Sequence, residues 1–236
     1  MAIYEKLAVF NRDVYRKHKM RAASSPAFTD TQTLPLLAVE FAEAAKEYPI
    51  VFVKSSLTDE QLMPMVLLGL QNAENLFAGS NGIWSSRYIP AFVRRYPFML
   101  AKAGDEQLVL CLDENFDGLN LEEGVAFFDG DQETDYLKNL IQFVTSFHND
   151  SLLTGKFTET LNSLELLEEK SLKAELKDGR EFMINGFYVV NEEKLRALSS
   201  KQVHELFSSG ELALVYAHLM SLSNLKRLVD LTAPLG

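Results

Sequence analysis

Cys111 is the single cysteine of the chain. Beside a histidine it would form a nucleophile–base pair. It stands inside the apolar run Leu108–Leu112, where a thiol packs as a small apolar group and stays unreactive. One cysteine also excludes an intrachain disulfide and a zinc site made of cysteines. The four histidines, His18, His148, His204 and His218, include no pair at the i, i+4 spacing of a helical zinc site. His218 aligns with Leu214 and Leu225 on a C-terminal helix and is expected to make a helix–helix hydrogen bond. Gly79-Ser80-Asn81-Gly82 is not a nucleophile elbow, and no phosphate-binding glycine loop is present.

Asp113-Glu114-Asn115-Phe116-Asp117-Gly118 opens like a calcium loop, in which alternate oxygens converge on the ion. The twelfth position needs a bidentate glutamate and is Gly124. The residues before it read as a strand, so a strand-exit turn accounts for the pattern. No metal and no cofactor are expected. Asp113 or Glu114 opposite Arg94 would be the smallest carboxylate–arginine enzyme site, with the acids tuned by the cation. No catalytic residue is assigned.

The segment from Trp84 to Phe98 holds the only tryptophan, two tyrosines, two prolines and three arginines. Aromatic rings and guanidinium groups together build rigid amphipathic surfaces, and arginine holds carboxylates bidentately. Trp84, Arg87, Tyr88, Arg94 and Tyr96 are therefore the candidate residues for binding a ligand or partner. The competing reading is that the aromatics plug a gap between a hairpin and a sheet, with arginine stems lying over them.

The elements that would position these residues follow from periodicity. Thr33–Tyr48 has helical spacing, with Thr33 as N-cap and Pro49 closing it. Ile50–Val53 and Met63–Leu70 are short apolar runs. Phe77 and Ile83-Trp84 flank a turn at 79–82, a hairpin signal. Ser85–Arg95 is a short helical turn. Phe98–Lys102 and Gln107–Asp113 form a hairpin, and apolar residues on both faces make the second a central strand. Residues 113–132 are an acidic loop. A helix from Leu137 is expected to break near Ser151–Gly155. Leu172–Leu176 and Phe182–Val190 are strands joined at Asp178-Gly179. Two short helices, Asn191–Leu198 and Lys201–Phe207, precede a final helix over Leu212–Leu225. Strands in consecutive hairpins and helices clustered in sequence give an α+β fold with a mostly antiparallel sheet, an N-terminal helix and a helical C-terminal portion.

The chain has 236 residues and is 47% hydrophobic, enough to bury a substantial core. Its longest apolar runs are about half the ~18–20 residues of a membrane helix, so no integral membrane segment is expected. A formal charge of −10 argues against general nucleic-acid binding. Residues 1–26 carry six Lys/Arg against two acids, and residues 111–135 carry nine acids and no Lys or Arg. Residues 1–25 are thus expected to form a basic arm, solvated or lying on the acidic segment, beside a single domain over 26–236. The N-terminus lacks the apolar stretch of a secretory signal, so a cytoplasmic location is expected, with surface association by a signal-independent route left open.

Pro49-Ile50-Val51-Phe52, Gly69-Leu70, Asn75-Leu76-Phe77, Trp84 through Tyr88-Ile89-Pro90 to Arg94-Arg95-Tyr96-Pro97-Phe98, and Leu110-Cys111-Leu112-Asp113-Glu114 together resemble the bacterial SapC family. Gly186–Glu192 and Leu214–Leu222 fit the same pattern. The resemblance runs in one order from about Pro26 to Leu228. The chain departs from it at Arg95, where a small residue is expected. The family takes its name from a bacterial surface layer and has no established catalytic residues. The resemblance implies a non-enzymatic binding or assembly protein, with self-association as one mode. Its alternative is a cytoplasmic accessory of a nutrient-uptake or halogenase/oxygenase gene cluster, binding a partner enzyme or a peptide- or glycan-like ligand. The carboxylate–arginine enzyme is the third reading.

Overall fold

The structure, a computed structural model, describes residues 3–21, 28–55, 61–79, 82–104, 107–175 and 179–232. Strand β1 (Leu7–Val9), the one-turn helix α1 (Arg12–Tyr15) and β2 (Lys19–Met20) precede β3 (Thr33–Pro35). A 3-10 turn at Ala38–Glu40 runs into α2 (Phe41–Ala44), then β4 (Ile50–Lys54) and β5 (Leu62–Leu67). Helix α3 (Ala91–Arg94) leads to the hairpin β6 (Phe98–Ala103) and β7 (Gln107–Asp113). Four two-residue strands follow, β8 (Leu119–Asn120), β9 (Val125–Ala126), β10 (Phe128–Asp129) and β11 (Gln132–Glu133). Then come α4 (Asp135–Ser163), β12 (Leu167–Glu175), β13 (Glu181–Val190), α5 (Glu192–Arg196), α6 (Ser200–Ser208), α7 (Glu211–Ser221) and α8 (Asn224–Thr232). The class is α+β with antiparallel pairing, as the sequence pattern implies.

The larger sheet has the order β12-β13-β4-β5-β3. Ile50, Val51 and Phe52 of β4 are wholly buried, which fits a central strand covered on both faces. β13 and β4 pair only at Phe187–Val53 and Tyr188–Phe52. Beyond that the strands leave backbone donors free, and α7 supplies acceptors. Val190 N donates to His218 Nε2 at 3.0 Å and Ile50 N to Ser221 Oγ at 2.9 Å. His218 therefore joins helix to sheet, not helix to helix as expected. A buried N–H without a partner would cost about 1–3 kcal/mol, so these two side chains hold the ends of β4 and β13 to the helix.

The expected helix over Thr33–Tyr48 is corrected in its first half. Leu34 pairs with Val66, and Leu36 N donates to Pro64 O at 3.0 Å, so sheet pairing overrides the helical spacing there. Helical turns begin only where the Glu40 carboxylate accepts from Leu37 N. The expected break at Ser151–Gly155 is absent, and α4 is continuous for 29 residues. Ser151, Thr154 and Thr158 turn their hydroxyls back onto helix carbonyls of His148, Asp150 and Thr154, which removes their competition with the backbone. The last helix divides in two at Leu222–Ser223, where Asn224 donates to Ala45 O at 2.7 Å. The turn at 79–82 is anchored by one bridge, Ala78–Trp84, and its Ser80 and Asn81 lie outside the described residues, as does Asp178.

The second sheet, β1-β7-β6, makes β7 its central strand. The acidic stretch carries β8–β11 rather than irregular loop, and β2 pairs with both β8 and β9. Gly124, at φ +106, lies so close to Met20 that a Cβ would fall on its carbonyl oxygen, and at Gly118 a Cβ would meet the Arg21 carbonyl oxygen. The basic residues lie over this acidic stretch. Arg12 and Arg16 both reach Asp131, and Lys19 Nζ donates to Glu122 O at 2.9 Å. Exposed ion pairs of this kind contribute little, so strand pairing and burial of Tyr15 do most of the anchoring.

Two apolar cores result. One gathers Phe41, Phe52, Phe157 and Leu161 around the larger sheet, and the other gathers Tyr15, Phe98, Phe127 and Leu137 around the smaller. Helix α4 serves both. A third small cluster, Leu37, Ala91 and Phe147, lies against the aromatic segment from Trp84.

Candidate functional site

The polar atoms of the three aromatic candidates are tied to the interior. Trp84 Nε1 donates to Tyr48 Oη at 2.7 Å, and that buried hydroxyl donates to Tyr88 O at 2.5 Å. Tyr88 Oη donates to Glu40 Oε1 at 2.6 Å. Tyr96 Oη donates to Asp113 Oδ2 at 3.3 Å, and its ring stands edge-on to Phe28 and Phe116. Burial, then the Glu40 carboxylate, pushes the Tyr88 phenol well above its ordinary range. Burial, then Asp113, does the same for Tyr96. Both therefore act as neutral donors at any physiological pH.

Glu40 is the hub. It is only 4% exposed and accepts from Tyr88 Oη, from Ala91 N at 2.7 Å and from Leu37 N at 3.0 Å. One carboxylate thus starts both the Ala38 turn and α3, and it fixes the tyrosine between them. Its signal in the sequence is an acid within the apolar stripe Leu37, Phe41, Ala44, Tyr48.

The arginines divide. Arg87 and Arg94 are exposed. Arg94 Nε donates to Ile89 O at 2.9 Å, and its guanidinium lies over the rings of Phe143 (5.3 Å) and Tyr88 (6.0 Å). Among the described residues neither forms an ion pair with a carboxylate. Arg87 and Tyr88 line a groove of about 540 Å³ with Glu43, Lys46, Glu47 and Arg227. Glu47 accepts from Arg87 N at 3.0 Å and faces Arg227 Nη1 at 3.3 Å. Arg95, by contrast, is drawn inward. Its backbone is ordinary right-handed helix (φ −76), so the position makes no demand for a small residue.

The carboxylate–arginine enzyme site is not brought together. Asp113 is wholly buried and accepts from Glu5 N, Lys6 N, Asn115 N and Tyr96 Oη. Burial raises its pKa, but those donors outweigh burial and hold the carboxyl below its usual range. Glu114 pairs with Lys6 at 2.9 Å and accepts from Tyr15 Oη at 2.8 Å. Asp113 thus clamps the N-terminal segment to β7, and Gly118 is required by the close backbone of Arg21. Among the described residues no three His, Cys, Asp or Glu side chains gather as a metal site. Cys111 is buried, and burial pushes its thiol up, which leaves it unreactive.

Among the described residues no helix is long and apolar enough to cross a membrane. The family model described as SapC matches residues 10–228 of the chain, so the match takes in α1 and β2 as well as the stretch from Pro26. Comparisons with curated proteins and with solved structures return no match.

Proposed function

The chain belongs to the SapC family, and on that premise we propose that it works by binding rather than by catalysis, as a bacterial assembly or accessory protein whose Trp84–Phe98 segment meets an acidic protein partner. The observation that supports this reading is the division of labour in the segment. Trp84, Tyr88 and Tyr96 are locked inward by hydrogen bonds, while Arg87 and Arg94 stand exposed on that rigid frame without carboxylate partners. In a chain of net charge −10, uncompensated guanidinium groups on a fixed scaffold are suited to bidentate carboxylate recognition. Ordering them costs little on binding, because the backbone beneath is already fixed. Residues 26–236 act in this reading as one α+β unit, with the basic segment clamped to it. The family's surface-layer association would place the partner in the cell envelope. The accessory reading would place it in the cytoplasm. Capture of partners from the native host by wild type and by the Arg87→Ala/Arg94→Ala double variant tests the surface. The variant should lose the partner and keep its melting temperature. Equal capture by both proteins would remove the segment from the interface.

A further inference from the structure

Arg95 carries its charge into an apolar pocket. The pocket has a volume of about 340 Å³ and is walled by Leu36, Leu37, Leu62, Met63, Phe92 and Phe147, with Arg95 at its side. It shares no residue with the groove at Arg87. The guanidinium lies 4.2 Å from the Phe147 ring centre and 4.5 Å from that of Phe92. The two ring centres are 6.4 Å apart, so the rings meet the guanidinium from neighbouring directions, and its N–H donors lie in the guanidinium plane, the geometry that a carboxylate engages. The Nε atom is buried and has no acceptor. Tyr4 provides a hydroxyl contact, but that hydroxyl also donates to Phe98 O and cannot neutralise the cation.

Three hydroxyl groups of the pocket wall are already engaged. Thr154 Oγ1 donates to Asp150 O and accepts from Ala38 N. Thr158 and Ser151 donate to Thr154 O and His148 O. The cavity therefore offers apolar surface, the exposed Gln61 and one uncompensated cation. An isolated buried charge is costly unless something pairs with it, and no carboxylate of the described residues does.

We propose that this pocket binds an apolar monocarboxylate, its carboxylate on the Arg95 edge and its hydrocarbon between α4 and the β3–β5 edge. At roughly 30 Å³ per non-hydrogen atom, the share of a water molecule, the volume suits about ten such atoms, and the pocket lies within the ~300–1,000 Å³ range of small-ligand sites. Octanoate is the matching probe. Gly155 provides the blocking position. It lies in the pocket wall on α4, and a Cβ there meets only Gln61 Nε2 at 3.8 Å. Leucine at 155 fits the helix and projects a side chain into the space.

Titration calorimetry and thermal melts with octanoate and with 1-octanol, on the full chain, test the assignment. Wild type should bind octanoate at least ten-fold more tightly than 1-octanol, with a melting temperature that rises with octanoate concentration. Arg95→Met should abolish that preference, and Gly155→Leu should lose both ligands while melting no lower than wild type. If Arg95→Met does not fold, Gly155→Leu still decides, because it leaves the arginine in place. Equal affinity for the two probes in wild type, undiminished octanoate binding in Gly155→Leu, or no binding at millimolar octanoate would each overturn the proposal. So would capture of peptides with a free apolar C-terminus that octanoate does not displace, since the site would then recognise a polypeptide end.

Discussion

Glu40, buried, and Arg95, half-buried with its Nε enclosed, are two charges flanking the same short helix, and the protein treats them in opposite ways. Glu40 sits at the N-terminal side of α3, with three donors converging on its two oxygens. Arg95 ends α3, its guanidinium against the Phe92 and Phe147 rings and its Nε without an acceptor. The saturated charge organises structure, because every group it touches would be orphaned without it. The unsaturated charge contributes nothing comparable to the fold, because burying a cation beside apolar walls costs free energy that ring contacts only partly offset. A buried charge with its partners is architecture, and one lacking them marks a place where a partner arrives from outside.

The largest effect expected from this contrast is at Glu40. Glu40→Ala would strand Tyr88 Oη, Ala91 N and Leu37 N in the interior. Breaking a buried charged network by removing one member typically costs ~3–5 kcal/mol. Urea unfolding should show that loss, with Glu40→Gln milder because an amide oxygen still accepts. A loss under about 1 kcal/mol in Glu40→Ala would mean that the three donors are satisfied by solvent and that the hub is not structural.

A second buried group sharpens the same contrast through pH. His218 is wholly buried, its Nε2 accepts from Val190 N, and burial lowers its pKa from 6.5 to about 4. The unfolded chain protonates near pH 6.5 and the folded chain only near 4, so the unfolded state binds more protons between them. Stability is therefore full above pH 6.5 and falls as pH drops toward 4, by roughly 3 kcal/mol at about 1.4 kcal/mol per pKa unit. His218→Gln should flatten that limb of the stability profile. An unchanged slope would assign acid sensitivity to other groups.

Much of this architecture was legible in the residue pattern where local and tertiary preferences agree. β6 and β7 read as apolar runs separated by a short polar stretch, and they pair from Phe98–Leu112 to Ala103–Gln107 as expected. Thr33–Pro35 did not declare itself, because the helical spacing of Leu34, Leu37 and Phe41 is satisfied equally by a strand followed by a helical turn, and only pairing with Met65–Leu67 decides. The aromatic segment stood out by composition, but the partners that fix its orientation, Tyr48, Glu40 and Asp113, lie 17 to 51 residues away on other elements. Arg95 could not be separated from Arg94 by type. One helical step, about 100° of rotation, sends one guanidinium to solvent and the next into the pocket.

Replacing the unsaturated charge should have the opposite sign from replacing the saturated one. Arg95→Met exchanges a half-buried cation for a flexible thioether that also packs favourably on aromatic rings. The lost cation–π contacts and the relieved desolvation oppose each other, and stability should stay within about 1 kcal/mol of wild type or rise. A loss of several kcal/mol in urea unfolding would make the Phe92–Arg95–Phe147 cluster a structural element and place Arg95 alongside Glu40.

The smallest expected effect on stability belongs to Arg94, the neighbour that faces solvent. Its guanidinium makes one hydrogen bond, to Ile89 O, and rests over Phe143 and Tyr88 from outside. Alanine there removes an exposed contact that water replaces, so Arg94→Ala should unfold within about ±0.5 kcal/mol of wild type. The same variant should weaken capture of an acidic partner, because alanine removes donors suited to a carboxylate. The two readouts separate the possibilities. Unchanged stability with reduced capture assigns Arg94 to recognition. Reduced stability would mean that its stem seals Tyr88 and Phe143, and the outward-facing half of the contrast between the two arginines would then belong to Arg87.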